Sequence, residues 1–193
     1  MYIALEGIDG VGKTTQINRL KESYPDAIFT KEPGATNLGA KLRELILGEN
    51  DFDKKSELFL FLADRAEHAQ KVLAPNIKKN KIIFSDRSLI SGIAYANSEF
   101  DINYICELNR YAVGGVLPDK AVIFIISKEG YLQRIKNRGL KEDNIEKKGA
   151  EFMMQTQERF LQAVKMLKIK YIEIDAMDTE ENISKKIKDF IND

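Results

Sequence analysis

The residues best suited to chemistry stand close to the start of the chain. Gly7-Ile8-Asp9-Gly10-Val11-Gly12-Lys13-Thr14-Thr15 matches G-x-x-x-x-G-K-[ST] at Gly7, Gly12, Lys13 and Thr14. Glycines allow successive backbone N–H groups to curl around phosphate oxygens. Lys13 supplies a point charge for the outer phosphates, and Thr14 can offer its hydroxyl to Mg²⁺. The helix expected to start here turns its positive end toward the anion. An apolar run at 2–5 before the motif and a helical run at 14–24 after it give the strand–loop–helix context that this chemistry requires. The motif therefore predicts that residues 7–15 bind a nucleotide phosphate, without naming a reaction.

Further candidates fall just after predicted strands or on helices facing them. Lys31-Glu32-Pro33-Gly34-Ala35-Thr36 reads as a rigid, charged turn, with Arg43 on the next helix. Phe61 and Arg65 lie four residues apart, hence on one helix face. Asp86-Arg87 follows a strand, with Ser91 and Tyr95 at helical spacing behind it. Arg134, Lys136, Arg138 and Lys141 fall within or just before a polar, lid-like stretch at 138–148. Each has a plainer alternative. On apolar pattern alone Phe61 reads as core. Arg65 beside Asp64 or Glu67 reads as surface electrostatics, and His68 as a solvated or hydrogen-bonded helix residue. The charges at 134–148 alternate in sign, as on a solvated face. Arg87 is harder to set aside, because open α/β sheets bind ligands at the carboxyl ends of their strands.

The elements that must hold these groups alternate regularly. Strands are predicted at 2–5, 27–30, 81–85, 121–126 and 171–174. Helices are predicted at 14–24, 38–47, from Ser56 to Pro75, 89–96, 102–113, 129–138, 149–167 and 180–191, with a loop at 139–148. Strands separated by helices imply βαβ units and a parallel sheet covered on both faces. A length of 193 residues argues for one domain. With 30 Lys+Arg against 30 Asp+Glu, the chain lacks the global charge of a nucleic-acid or polybasic membrane binder. One Cys and one His cannot build a Cys/His zinc cluster, and Cys106 reads as an ordinary helix residue. No apolar run approaches membrane-spanning length, and the first residues lack a signal-peptide pattern. These features lead to the expectation of a soluble, cytoplasmic protein. The base-reading Asn-Lys-x-Asp of GTPases is missing: Asn80-Lys81-Ile82-Ile83 has Ile where Asp is needed. A large ATPase motor does not fit this length, which leaves small kinases.

Taken together, these stretches resemble the thymidylate kinases across nearly the whole chain. The family's E-G-x-[DE]-G-x-G-K-T-T appears as residues 6–15 and its R-E-P-G-G-T turn as residues 31–36. Its L-F-x-A-D-R-x-x-H helix appears at 60–68 and its D-R-x-x-x-S-x-x-A-Y segment at 86–95. Pro118-Asp119 and Ile174-Asp175-Ala176 complete the set. The resemblance implies a P-loop nucleoside monophosphate kinase fold with a five-stranded parallel sheet, a short lid and a homodimer. It implies transfer of the γ-phosphoryl group of ATP to dTMP with Mg²⁺, and neither a nucleic-acid nor a membrane partner. By motif position, residues 7–15 would hold ATP, with Thr14 and, through water, Asp86 serving the metal. Asp9, Glu32, Pro33, Arg43, Phe61, Arg65, Arg87, Ser91 and Tyr95 would hold dTMP. Phe61 would stack on the base, Arg65 would contact base or phosphate, and Arg87 would bind the dTMP phosphate. Asp9 would meet the 3′-hydroxyl and Tyr95 would disfavour a ribose. Asp9, Lys13, Arg87, Arg134 and Arg138 would carry the transfer.

Several positions depart from the family pattern. Lys31 replaces an arginine, keeping charge but losing bidentate geometry. Ala35 replaces a glycine, and Val11 stands where some relatives carry a phosphate-loop arginine. Gly92 and Ala96 stand where relatives often place polar side chains facing the base, and Asn97 offers a polar group one residue further on. Asn144 replaces a lid arginine, which shifts the burden to Arg134 and Arg138. Two other readings remain open at this level: a deoxynucleoside kinase, which needs a base near an uncharged 5′-hydroxyl, and a nucleotide-gated binding module.

Overall fold

Strand β1 (Tyr2–Glu6) is buried at every position. Consecutive residues point to opposite sides, so burial of all of them means that both faces of the sheet are covered. β3 (Ile83–Asp86) and β4 (Lys120–Ile125) flank β1, with β2 (Ile28–Lys31) and β5 (Lys170–Asp175) at the edges. The five strands run parallel, as expected, and the structure sets their order as β2-β3-β1-β4-β5. The register pairs Leu5 with Asp86 and Lys31 with Asp86, so β1, β2 and β3 end at one edge. The sheet order turns around β1, and the loop leaving that strand opens into the crevice where such sheets take ligands. The computed structural model describes residues 1–48, 50–96, 99–137 and 144–193, the side chains of 144–148 excepted.

Helices α1 (Lys13–Ser23), α2 (Asn37–Leu47) and α3 (Lys54–His68) come first. A π-helical segment, Ala69–Leu73, joins α3 to α4 (Ala74–Lys78). They are followed by α5 (Leu89–Ala94), α6 (Ile102–Ala112), α7 (Lys128–Asn137), α8 (Asn144–Met166) and α9 (Glu180–Asn192). The core lies between sheet and helices, with Phe84 stacked on Phe29 at 5.1 Å and Phe160 edge-on to Tyr95 at 5.6 Å.

One helix, at both ends, and one loop need correction. The helix expected from Ser56 to Pro75 starts at Lys54, because Asp53 caps it by accepting the backbone N–H groups of Lys55 and Ser56. It does not stop at Pro75 either, since the proline falls in the first turn of α4, where its missing N–H is tolerated. The loop expected at 139–148 is helical from Asn144 onward. Its Glu and Lys residues, though polar and charged, are good helix formers. The rest of the expected lid, Arg138 included, lies outside the described residues, as does Asn97.

Candidate active site

The loop after β1 takes its shape from glycine. Gly7, Gly10 and Gly12 all have positive φ. At Gly7 a Cβ would lie 2.9 Å from the carbonyl oxygen of Phe124 on β4, so the loop could not pass so near the sheet with a side chain there. Gly12, in left-handed conformation, caps α1. Lys13 is buried and donates to the carbonyls of Gly7 at 2.9 Å and Ile8 at 3.0 Å. Burial, followed by the charge of Arg87, pulls its pKa down to about 8. Ile8 and Val11 bury their side chains in the core, so their share in any phosphate cradle is backbone alone.

Arg87 follows β3 with φ of 73°, a conformation that costs a non-glycine residue on the order of 1–3 kcal/mol. Its guanidinium donates to Asp9 Oδ1 at 2.5 Å, Ser91 Oγ at 3.0 Å and the Gly7 carbonyl at 3.3 Å. It also lies over the Tyr95 ring, 5.1 Å from the centroid. Behind it sits Glu6, fully buried, accepting from Ser88 Oγ at 2.6 Å and Ser91 Oγ at 2.5 Å. Burial pushes the Glu6 carboxyl up to about 7, against the opposing pull of the two serine hydroxyls and Arg87. Ser91 thus relays between a buried acid and the arginine. Arg134, from α7, reaches across the loop and donates to the carbonyls of Gly10 and Ala176.

A third cluster lies beyond β2. Glu32 accepts from Arg65 Nε at 2.8 Å and faces His68 Nδ1 at 2.8 Å, while His68 Nε2 lies 2.7 Å from Thr30 Oγ1. Burial works to raise the Glu32 pKa, but Arg65 and His68 outweigh it and hold the carboxyl below its usual value. Arg65 is 2% exposed, which overturns its reading as surface electrostatics with Asp64 or Glu67. His68 is fully buried and hydrogen-bonded, not solvated. Both are long-range effects: the partners of α3 come from β2, the turn after it and α6, which spacing within α3 does not reveal. Arg43 donates to the Pro33 carbonyl at 2.9 Å.

These clusters enclose two adjoining cavities. One, of about 530 Å³, has an apolar wall that includes Phe61, Tyr95, Phe100 and Phe152, with Arg65, Ser91 and Pro33 also lining it. Phe61 is half-buried at this wall, so its apolar position serves a cavity and not the closed core. The other, of about 440 Å³, is lined by Gly10, Gly12, Lys13, Thr14, Thr15, Lys31 and Asp86. Asp9, Glu32, Arg43 and Arg87 line both. Asp86 Oδ1 is buried and has no protein partner among the described residues. With the exposed Thr14 hydroxyl across the same cavity, it suits a hard cation that takes few protein ligands and keeps its waters.

The expected site residues therefore converge, except Arg138, which lies outside the described residues. Sequence reasoning missed Glu6, Ser88, Asn109, Phe100 and Phe152. Glu6 carried a visible signal, a carboxylate at the end of an otherwise apolar strand. The other four carried none, since each matches an ordinary helix or turn position.

Comparison with known proteins agrees with this geometry. The family described as Thymidylate kinase matches residues 5–187. A thymidylate kinase of Campylobacter hominis is 50% identical, covering 99% of this chain and 100% of the relative. One from Campylobacter lari is 48% identical, with both chains covered in full. A crystal structure of thymidylate kinase from Ehrlichia chaffeensis superposes with a TM-score of 0.77 at 28% identity, covering 100% of this chain and 98% of that one. A five-stranded parallel sheet, a glycine loop that folds around its own lysine and a family match spanning nearly all residues lead to one assignment: the chain belongs to the thymidylate kinase family.

Proposed function

We propose that the protein transfers the γ-phosphoryl group of ATP to dTMP, yielding ADP and dTDP for deoxythymidine triphosphate synthesis. The observation that carries this reading is the shared wall. A polar cavity over the phosphate loop and an apolar cavity of nucleotide size meet at Asp9, Glu32, Arg43 and Arg87. Bringing two phosphates together sets anion against anion, so the catalytic task is positioning and cationic charge, with little covalent work. Lys13, Arg43, Arg87 and Arg134 supply that charge from four separate elements, and Arg138 adds to it in this reading. Thr14 and, through water, Asp86 would hold Mg²⁺, which would supply positive charge against the donor phosphates.

In the acceptor cavity, Phe61 stacks on thymine and Arg65 donates to its edge. Arg87 takes the dTMP phosphate, Asp9 the 3′-hydroxyl, and Tyr95 crowds the ribose 2′ position. Pro33, Glu32, Arg43 and Ser91 complete the wall. The cationic side chains at the junction favour a charged acceptor over a nucleoside. We further propose a homodimer formed through α3 and α6, which pack together and expose Phe59, Tyr104 and Tyr111. No helix among the described residues is long and apolar enough to cross a membrane.

A coupled assay with ATP and each natural monophosphate tests the assignment. dTMP should be the preferred acceptor. Equal turnover of AMP, CMP or GMP would reject it, and phosphorylation of thymidine without dTMP would point to a nucleoside kinase.

A further inference from the structure

Gly92 looks in sequence like a missing polar contact. In the structure a guanidinium occupies the space beside it. A Cβ at Gly92 would stand 2.4 Å from Arg65 Nη1, 2.7 Å from its Cζ and 2.6 Å from Asn109 Oδ1. No side chain at all fits there without moving Arg65 or Asn109. Across the gap, Arg65 Nη1 donates to Asn109 Oδ1 at 2.6 Å, while Nε donates to Glu32 at 2.8 Å. Asn109 Nδ2 donates to the Ile105 carbonyl one turn earlier at 2.8 Å, which leaves Oδ1 as the atom turned to Arg65. Arg65 and Asn109 are 2% and 0% exposed. Arg65 and Gly92 nevertheless line the apolar cavity beside Phe61 and Ala96.

A guanidinium offers five N–H donors in a rigid plane and accepts nothing. Fixing one donor to Glu32 and another to Asn109 fixes that plane, and the remaining donors are left for the occupant of the cavity. We propose that Asn109 is a positioning residue for nucleobase recognition, aiming the free donors of Arg65 at a base carbonyl across the gap that Gly92 keeps open. The role rests on the dTMP reading above and deepens it. Selectivity is then supplied from α6, through Arg65, in place of polar side chains at 92 and 96 on the α5 side. A donor-only group pairs with a keto oxygen and leaves an amino group facing N–H donors, which disfavours cytosine. An arginine already held at two points also loses little rotamer freedom when the nucleotide binds.

Initial rates with dTMP and dCMP at saturating ATP, for wild type, Asn109→Leu, Asn109→Asp and Gly92→Ala, test the role, with thermal melts to verify folding. N109L should raise KM for dTMP about tenfold, as expected for loss of a buried hydrogen bond to a charged group, and narrow the dTMP-over-dCMP preference by a similar factor. With ATP varied at saturating dTMP, its KM for ATP should not change, and kcat should fall less than about threefold. N109D keeps an acceptor for Arg65 and should return KM for dTMP to within about threefold of wild type. G92A should push Arg65 Nη1 off Asn109 and reproduce the N109L result, and it carries the test alone if N109L does not fold. An unchanged KM for dTMP in N109L and G92A overturns the positioning role, as does an equal rise in N109L and N109D. Wild type that fails to prefer dTMP in this assay overturns the dTMP reading and the positioning role with it. Wild-type preference with an unaffected N109L overturns the positioning role alone.

Discussion

Glu6 and Arg87 form the most consequential pair of residues, joined through Ser91. The Glu6 carboxyl titrates near 7 in the folded chain, against 4.5 for an ordinary glutamate. Between those values the folded state keeps a proton that the unfolded chain has released. Stability from this group is therefore fully present below pH 4.5 and is lost as pH rises through 7. The shift corresponds to about 3 kcal/mol. Glu6→Gln stays neutral, so its urea midpoint should vary less between pH 5 and 8 and should gain on wild type as pH rises. An equally steep decline in the variant would show that another group is responsible. Arg87→Ala should reduce kcat/KM for dTMP by roughly 10²–10³-fold, the range seen when a preorganised donor to a reacting anion is removed. Steady-state kinetics with dTMP decides it, and a change below tenfold would remove Arg87 from the site.

Helices and strands transmit these residue effects unequally. The strands and the α1 boundary could be read from hydrophobic period and from the glycines of the phosphate loop, because both signals are local. The passage of α3 through Ala69–Leu73 into α4 could not, because a proline in a first turn looks the same in sequence as one that ends a helix. The site followed the same division. Phosphate-binding residues are contiguous and legible, whereas Arg65, Glu32, His68 and Asn109 meet only after α3, β2 and α6 have packed. Helix α2 offers a test at this scale. Thr36 Oγ1 accepts the Gly39 N–H at 2.9 Å and caps the helix that carries Arg43. Thr36→Val should cost about 1 kcal/mol in chemical denaturation and raise KM for dTMP a few-fold, with KM for ATP steady. A variant as stable as wild type would show that α2 is held by packing alone.

For the whole molecule, the balance of 30 cations and 30 anions describes a surface average. Lys13, Arg43, Arg65, Arg87 and Arg134 come from α1, α2, α3, the β3–α5 turn and α7, and all five lie around the two cavities or the loop between them. The outer surface shows a different feature. Phe59 is 59% exposed, Tyr104 61% and Tyr111 87%, on two helices that pack side by side. Exposed aromatics on two neighbouring helices are suited to cover by a second copy. Phe59→Glu should convert a dimer to a monomer in sedimentation velocity, while Met177→Glu at another exposed apolar position should not. A monomeric wild type at micromolar concentration would end the dimer proposal. The wall common to the two cavities has a thermodynamic consequence. Two polyanions that draw on the same Arg43 and Arg87 oppose each other's entry, and linkage makes that opposition reciprocal. The factor by which a bound donor weakens acceptor affinity must equal the factor by which bound acceptor weakens the donor. A substitution in the wall shifts both by one amount, whereas a substitution at Phe61, which lines only one chamber, leaves the interaction free energy between the ligands untouched.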